Sequence, residues 1–168
     1  MEFSCFATTT SSLNERGSLV CETVRCHAMI RALGLDLGTK TIGVAYSDEL
    51  GLTAQPLTTI RREGLRRDIE MLRDIVNDRG ATHLIIGLPL NMNGSEGPRA
   101  EATRRFGDQL TQQITLPLIY WDERLTTVAA ERSLLEADVS RKKRREVIDQ
   151  VAATLILQGW LDAQTPSR

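Results

Sequence analysis

"LGLDLGTKTIGVAYSD", residues 33–48, decides how the chain is read. Ile30 to Leu37 is apolar with Gly34 inside it, which suits a strand in the middle of a sheet. Gly38-Thr39-Lys40 makes a tight turn, and Ile42 to Ser47 supplies a second strand, so the pair predicts an antiparallel hairpin. Asp36 is the anomaly in this run. It is a strand-end residue with no task, a clasp for a nucleotide phosphate, or a ligand for a catalytic metal.

Working outward, "LTAQPLTTI" (Leu52 to Ile60) predicts a third strand, pushed toward a sheet edge by Pro56, which has no N–H for a ladder. Leu65, Ile69, Leu72, Ile75 and Val76 recur at helical spacing, so Leu65 to Asp78 predicts a helix stopped by Gly80. "HLIIGLP" (His83 to Pro89) is a continuous apolar run, the pattern of a parallel strand buried on both faces. The polar loop "NMNGSEG" (91–97) leads to a helix over Pro98 to Gln113, and "LPLIYW" (Leu116 to Trp121) is the fifth strand. Thr126 or Thr127 is placed to cap a helix through about Ala137. A charged loop, "SRKKRRE" (140–146), then precedes a last helix over Val147 to Leu161. Three strands in a meander, followed by alternating helix and strand, predict an α/β fold with a five-stranded sheet of mixed direction.

The chain has 168 residues, 41% hydrophobic and 26% charged, which suits one globular domain with a sizeable core. Net charge is −1, so any nucleic-acid partner must be recognised by local patches. No apolar run approaches the ~18 residues of a membrane helix, so no membrane partner is expected. Cys5, Cys21 and Cys26 all precede Met29, and an odd count in one short stretch gives no disulfide framework. A reducing, cytoplasmic setting follows. Residues 1–28 are Ser/Thr-rich and without periodicity, and are read as a disordered tail or as residues ahead of the true start at Met29. The domain is expected over residues 29–163, with 164–168 as a short tail.

Three acids fall at the ends of core elements. Asp36 closes the first strand, Glu123 with Asp122 follows the fifth, and Asp149 opens the last helix. Ala152, Ala153 and Ile156 continue from Asp149 as an apolar stripe that must face the sheet, and the two alanines allow close approach. Carboxylates gathered in one cleft repel unless protons or cations neutralise them. An all-oxygen donor set without His or Cys suits Mg²⁺ or Mn²⁺, and two such ions activate water and stabilise the leaving oxygen in phosphodiester hydrolysis. Taken singly, each acid has a plain reading as a turn residue or a complement to a helix dipole. Alternation along the fifth strand turns Asp122 and Glu123 to opposite faces, so one of them is the ligand.

Basic residues cluster locally. "RKKRR" (Arg141 to Arg145) puts five positive charges beside Asp149, and Arg61, Arg62, Arg66 and Arg67 form a second group. Lys40 and Arg124 each lie within four residues of a candidate acid. Such patches grip a phosphate backbone, while 4% aromatic content argues against base stacking as the main mode.

"LDLGTKTIGVA" (35–45), "IIGLPLNMNGSEG" (85–97), "WDERLTT" (121–127) and "IDQVAATLILQGWL" (148–161) together resemble the YqgF/RuvX family, over about Ile30 to Leu161. The resemblance implies a ribonuclease H-like fold with strand order 3-2-1-4-5. It also implies a bacterial cytoplasmic nuclease that matures the 5′ end of pre-16S ribosomal RNA. The implied catalytic and metal-holding acids are Asp36, which would bridge two ions, and Glu123 and Asp149, each completing one; Glu123 is preferred to Asp122 on this ground alone. Lys40, Asn91, Arg124, Arg141, Lys142, Lys143 and Arg144 are the expected substrate contacts, and structured RNA, branched DNA and a pre-ribosomal particle the expected partners. The fourth strand ends "GLPLN" without the acid that ribonuclease H-like relatives often carry there, and no fourth acid follows Asp149. A second ion is therefore expected to bind weakly, or only with the scissile phosphate.

Three rivals share parts of this pattern. Actin-like kinases open with a similar Asp-Leu-Gly-Thr hairpin, but need two such domains and a second phosphate loop. A Holliday junction resolvase-like DNA endonuclease and a non-catalytic RNA-binding assembly factor use the same basic surfaces, and a cleavage assay separates them.

Overall fold

The computed structural model of the chain describes residues 30–126 and 141–164, with side chains for 30–124 and 148–164, and the backbone of 12–13 and 19–20. Ser12–Leu13 pairs antiparallel with Leu19–Val20. The main chain runs β1 (Ala32–Leu37), β2 (Thr41–Ser47), β3 (Ala54–Arg61), α1 (Leu65–Arg79), β4 (His83–Leu88), α2 (Pro98–Gln113) and β5 (Leu118–Asp122). A 3-10 turn (Glu123–Thr126) follows, and α3 (Arg141–Gln164) closes the described chain.

The strands form one sheet in the order β3-β2-β1-β4-β5. β2 is antiparallel to both β1 and β3, whereas β4 runs parallel to β1 and β5 parallel to β4. This is the ribonuclease H-like order that the family resemblance implies. Pro56 does lie on the edge strand, opposite Ala45, where the β2–β3 register shifts. A shift there accommodates a residue that cannot donate to the ladder. Gly80 ends α1 in the left-handed conformation (φ 57°), its N–H reaching the carbonyls of Val76 and Asn77.

Period-two alternation sorts the strand residues onto two unlike faces. Leu33, Leu35, Ile42, Val44, Ile60, Leu84 and Ile86 pack with Ile69, Leu72 and Val76 of α1 and Phe106 and Leu110 of α2. The other face offers Ala32, Ala45 and Ile85 to Ala153, Ile156, Leu157, Trp160 and Leu161 of α3. Glycines complete this second face. A Cβ on Gly34 would lie 2.6 Å from Leu157 Cβ and 2.8 Å from the Ala153 carbonyl oxygen, and one on Gly43 would run into the Asp149 carbonyl. The small residues therefore let α3 lie almost on the backbone of β1 and β2.

Three expectations change. The last helix begins at Arg141 rather than Val147, so the basic stretch at 141–146 is its opening and not a loop. Charge alone is a poor guide here, since Lys, Arg and Glu are good helix formers. Asp149 consequently lies more than two turns inside the helix, too deep to be a complement to its N-terminal dipole. β5 begins at Leu118 and takes in Asp122; Pro117 stays outside it, its carbonyl accepting the Leu84 N–H. The helix expected from Thr126 or Thr127 to Ala137 falls on 127–140, outside the described residues, and Thr126 itself ends the 3-10 turn. Among the described residues, no helix is long and apolar enough to cross a membrane.

Candidate active site

Asp36 lies on the same side of β1 as Gly34, the side that faces α3. Its neighbours across the sheet are both glycines. Gly43 of β2 is its direct partner, and Gly87 of β4 is one step beyond the Leu35–Ile86 pairing. The space above each glycine is taken by another acid. The backbone of Asp149 lies over Gly43, and Glu123 Oε1 sits 2.6 Å from where a Cβ on Gly87 would be. Three carboxyl-bearing residues from three elements thus meet at one corner, where β1 and β4 end and β5 passes into its 3-10 turn.

The electrostatics follow from that crowding. Burial, then the charges of Glu123 and Asp149, push the Asp36 carboxyl up to about 7, against the pull of the Arg99 guanidinium. Burial also raises Glu123, with Arg99 lowering it and Asp122 raising it further. Asp149 is held by the Thr41 hydroxyl, which donates to Oδ2 at 2.7 Å.

The adjacent pair at the end of β5, Asp122 in the strand and Glu123 in the 3-10 turn after it, separates to opposite sides. Glu123 turns to the α3 side, above Gly87. Asp122 is gripped by Arg124 through Nε at 3.0 Å and Nη2 at 2.6 Å, which holds its carboxyl below the usual range.

The donor chemistry fits a hard divalent cation. The three groups are carboxylates, and their mutual repulsion is what a cation would relieve. Their arrangement is not a closed cage. Among the described residues no group of three His, Cys, Asp or Glu side chains stands ready to hold an ion, and Asp149 is engaged by Thr41.

The family model described as "RuvX: Holliday junction resolvase" matches residues 30–163. The chain belongs to the RuvX family. A relative in Myxococcus xanthus named "Putative pre-16S rRNA nuclease" is 64% identical over 137 residues, covering 82% of this chain and 91% of that protein. Another of the same name in Moorella thermoacetica is 62% identical over 133 residues, covering 79% and 95%. Among solved structures, Thermus thermophilus RuvC with its Holliday junction substrate matches at a TM-score of 0.56 and 10% identity, over 82% of this chain and 98% of that one. The fowlpox virus Holliday junction resolvase matches at 0.52 and 12%, over 81% and 100%. At such low identity these two speak for the fold alone. RuvX membership brings with it the class of enzyme: a nuclease.

The expected substrate contacts of this RuvX protein are placed unevenly. Lys40 is exposed at the tip of the β1–β2 turn. Arg124 reaches from Asp122 to the carbonyls of Asn91 (3.5 Å) and Met92 (3.4 Å), so the 91–97 loop does border the site. Asn91 is a strut of that loop, its side-chain amide donating to Ser95 Oγ at 2.9 Å. Arg141, Lys142, Lys143 and Arg144 open α3, with side chains outside the described set. Three of the four arginines in the second basic group are committed elsewhere, since Arg62 pairs with Asp68 while Arg66 and Arg67 pair with Glu70.

Sequence reasoning missed two residues. Arg99, in the first turn of α2, faces Asp36 and Glu123, and its signal was the Gly97-Pro98 helix start directly after the loop. Thr41 was legible from alternation, because it shares its side of β2 with Gly43.

Proposed function

We propose that this RuvX protein is a divalent-metal-dependent nuclease that matures the 5′ end of pre-16S ribosomal RNA in the cytoplasm, with a pre-ribosomal particle as its setting. The observation that carries the reading is the meeting of Asp36, Glu123 and Asp149 at one corner, with Asp36 raised to about 7 by burial and by the other two. A corner that buries a carboxyl beside two others is suited to take up cations. The names of relatives more than 60% identical supply the RNA.

Asp36, Glu123 and Asp149 would hold Mg²⁺ or Mn²⁺, as one ion or as two, the second binding with substrate. Bound there, the metal activates water and offsets charge on the phosphate being cut. Thr41 fixes the Asp149 carboxylate at one oxygen. Arg99, facing two of the acids, is suited to a non-bridging oxygen of the phosphate between them. Lys40 and Arg124 border the site on either side, and the basic start of α3, Arg141 to Arg145, would track the flanking backbone.

A second reading, cleavage of branched DNA, is favoured by the family description and by the resolvase fold. One assay separates the readings. The purified protein is incubated with a precursor-rRNA fragment and with a four-way DNA junction, each with Mg²⁺ or Mn²⁺, beside Asp36→Asn. Metal-dependent cleavage of the RNA alone, lost in Asp36→Asn, is the expected result. Cleavage of the junction alone would favour the second reading. No cleavage of either would leave a binding or assembly factor, and equal cleavage by Asp36→Asn would sink the site.

A further inference from the structure

A fully buried carboxylate on α1 stands outside the group of three acids, and the chemistry above does not use it. Asp68, in the first turn of α1, is 0% exposed. Burying a carboxylate is costly unless its oxygens are paired, and both are. Oδ1 accepts the Glu63 N–H at 3.0 Å, and Oδ2 accepts Arg62 Nε at 3.1 Å. Arg62 lies over the Phe106 ring of α2, 5.7 Å from its centroid.

What Arg62 does with its remaining groups gives the pair a direction. Its Nη1 donates to the Gly38 carbonyl at 3.0 Å, and its backbone N–H donates to the Lys40 carbonyl at 2.9 Å. Both acceptors belong to the β1–β2 turn, which is closed from within by Gly38 N–H to the Thr41 carbonyl at 2.9 Å. That turn begins two residues after Asp36 and ends at Thr41, whose hydroxyl holds Asp149. It is therefore the covalent link between one acid and the group that fixes another.

The geometry points to Arg62 and Asp68 as positioning residues: a buried clamp, anchored on α1 and α2, that sets the β1–β2 turn and through it the spacing of Asp36 from Asp149. A planar guanidinium suits this place. It bridges a carboxylate and a carbonyl in fixed directions, which a lysine ammonium does not. Hydrophobic residues of similar size would fill the volume but would leave the turn's carbonyls unheld.

The kinetic arm of the test rests on the nuclease reading; the exchange arm does not. Asp68→Asn and Arg62→Lys are compared with wild type by amide hydrogen exchange and by Mn²⁺-dependent cleavage of the precursor-rRNA fragment. The clamp predicts roughly tenfold or greater loss of protection at the Gly38 and Arg62 amides, with the Leu84 to Ile86 amides of β4 unchanged. It also predicts a fall in kcat of about tenfold or more with little change in KM. In Arg62→Ala, methylguanidinium added to solution should restore part of the turn's protection and of kcat. Unchanged protection at the turn would overturn the clamp, as would an equal loss across β4, which is ordinary destabilisation. Should wild type cleave nothing, exchange at the turn still decides the clamp, so the two failures remain distinguishable.

Discussion

The two faces of the sheet are built on opposite rules. Toward α1 and α2 the strands present Leu, Ile and Val, and the face is filled by side-chain volume. Toward α3 they present Ala and Gly, and the face is filled by the helix itself, drawn down onto Gly34, Gly43 and Gly87. All three acids belong to the second face. The reason is geometric, because a carboxyl on a strand meets one on a helix only if the two backbones come close. Bulky side chains would hold the helix about 10 Å off, as is usual for packed layers. The glycines that look like weak points in the strands are what assemble the site.

The adjacent acids where β5 ends offer the sharpest way to break this contrast. Glu123→Gln should lower metal-dependent cleavage on the order of a thousandfold, the scale for a group in contact with the reacting centre. Asp122→Asn, turned to the other side and paired with Arg124, should lower it less than about tenfold. Single-turnover cleavage of the precursor-rRNA fragment measures both. Equal losses would mean that the site does not respect the division of faces.

Next in size are changes to the packing, where one face should suffer from lost volume and the other from added volume. Leu35→Ala removes volume from the bulky face and should cost about 2–5 kcal/mol. Gly43→Ala adds a single methyl to the close face, against the Asp149 carbonyl, and should cost about 1–3 kcal/mol. Denaturant unfolding gives both numbers. Gly43→Ala should also slow cleavage under conditions where Leu35→Ala, still folded, does not, because only the former pushes on Asp149.

Most of this arrangement could be read in the sequence. The alternation of Leu35 with Asp36, the glycine-bearing strands and the alanines after Asp149 are strong periodic signals, and they placed the sheet and the close helix, while the strand order came from the resemblance to the RuvX family. Glu123 could not be told from Asp122 by residue type, since alternation says only that the two differ. What tells them apart is which side α3 occupies, a tertiary fact. Arg99 was hidden because its proximity to Asp36 depends on where a loop delivers α2. Arg62 was misread as part of a basic patch, as a buried partner 6 residues away in sequence leaves no local signature. The start of α3 was missed because five like charges suggest a solvated loop, although each residue among them favours a helix.

The pH dependence of Asp36 sharpens the comparison at a single carboxyl. Its carboxyl is raised from 3.8 to about 7 in the fold, so the folded state binds a proton that the unfolded chain has already lost. The stability this contributes is present in full below about pH 4 and is lost as pH rises through 7. Asp36→Asn should therefore be more stable than wild type at pH 8 without divalent ions, by about 4 kcal/mol, and the difference should close toward pH 4. Mn²⁺ should raise the melting temperature of wild type and leave Asp36→Asn nearly unmoved. A constant difference across pH would show that the crowding at this corner is not electrostatic.

The smallest effect is expected on the bulky side, at the surface of α1. Arg66 is 91% exposed and pairs with Glu70 one turn on, at 3.1 Å. Exposed pairs of this kind contribute little, because water screens the charges and two long side chains must be ordered to meet. Arg66→Ala should leave the melting temperature nearly unchanged and the KM for RNA within about twofold, with the same dependence on salt. The sequence counted Arg66 with Arg62 and Arg67 in one basic group, and the structure divides that group by partner. Arg62 turns inward to Asp68 and the β1–β2 turn, and Arg66 outward to Glu70. A tenfold rise in KM in Arg66→Ala, with a shallower salt slope, would reunite the group as a phosphate-binding surface. It would then extend the RNA path around the sheet edge onto the face packed by α1 and α2.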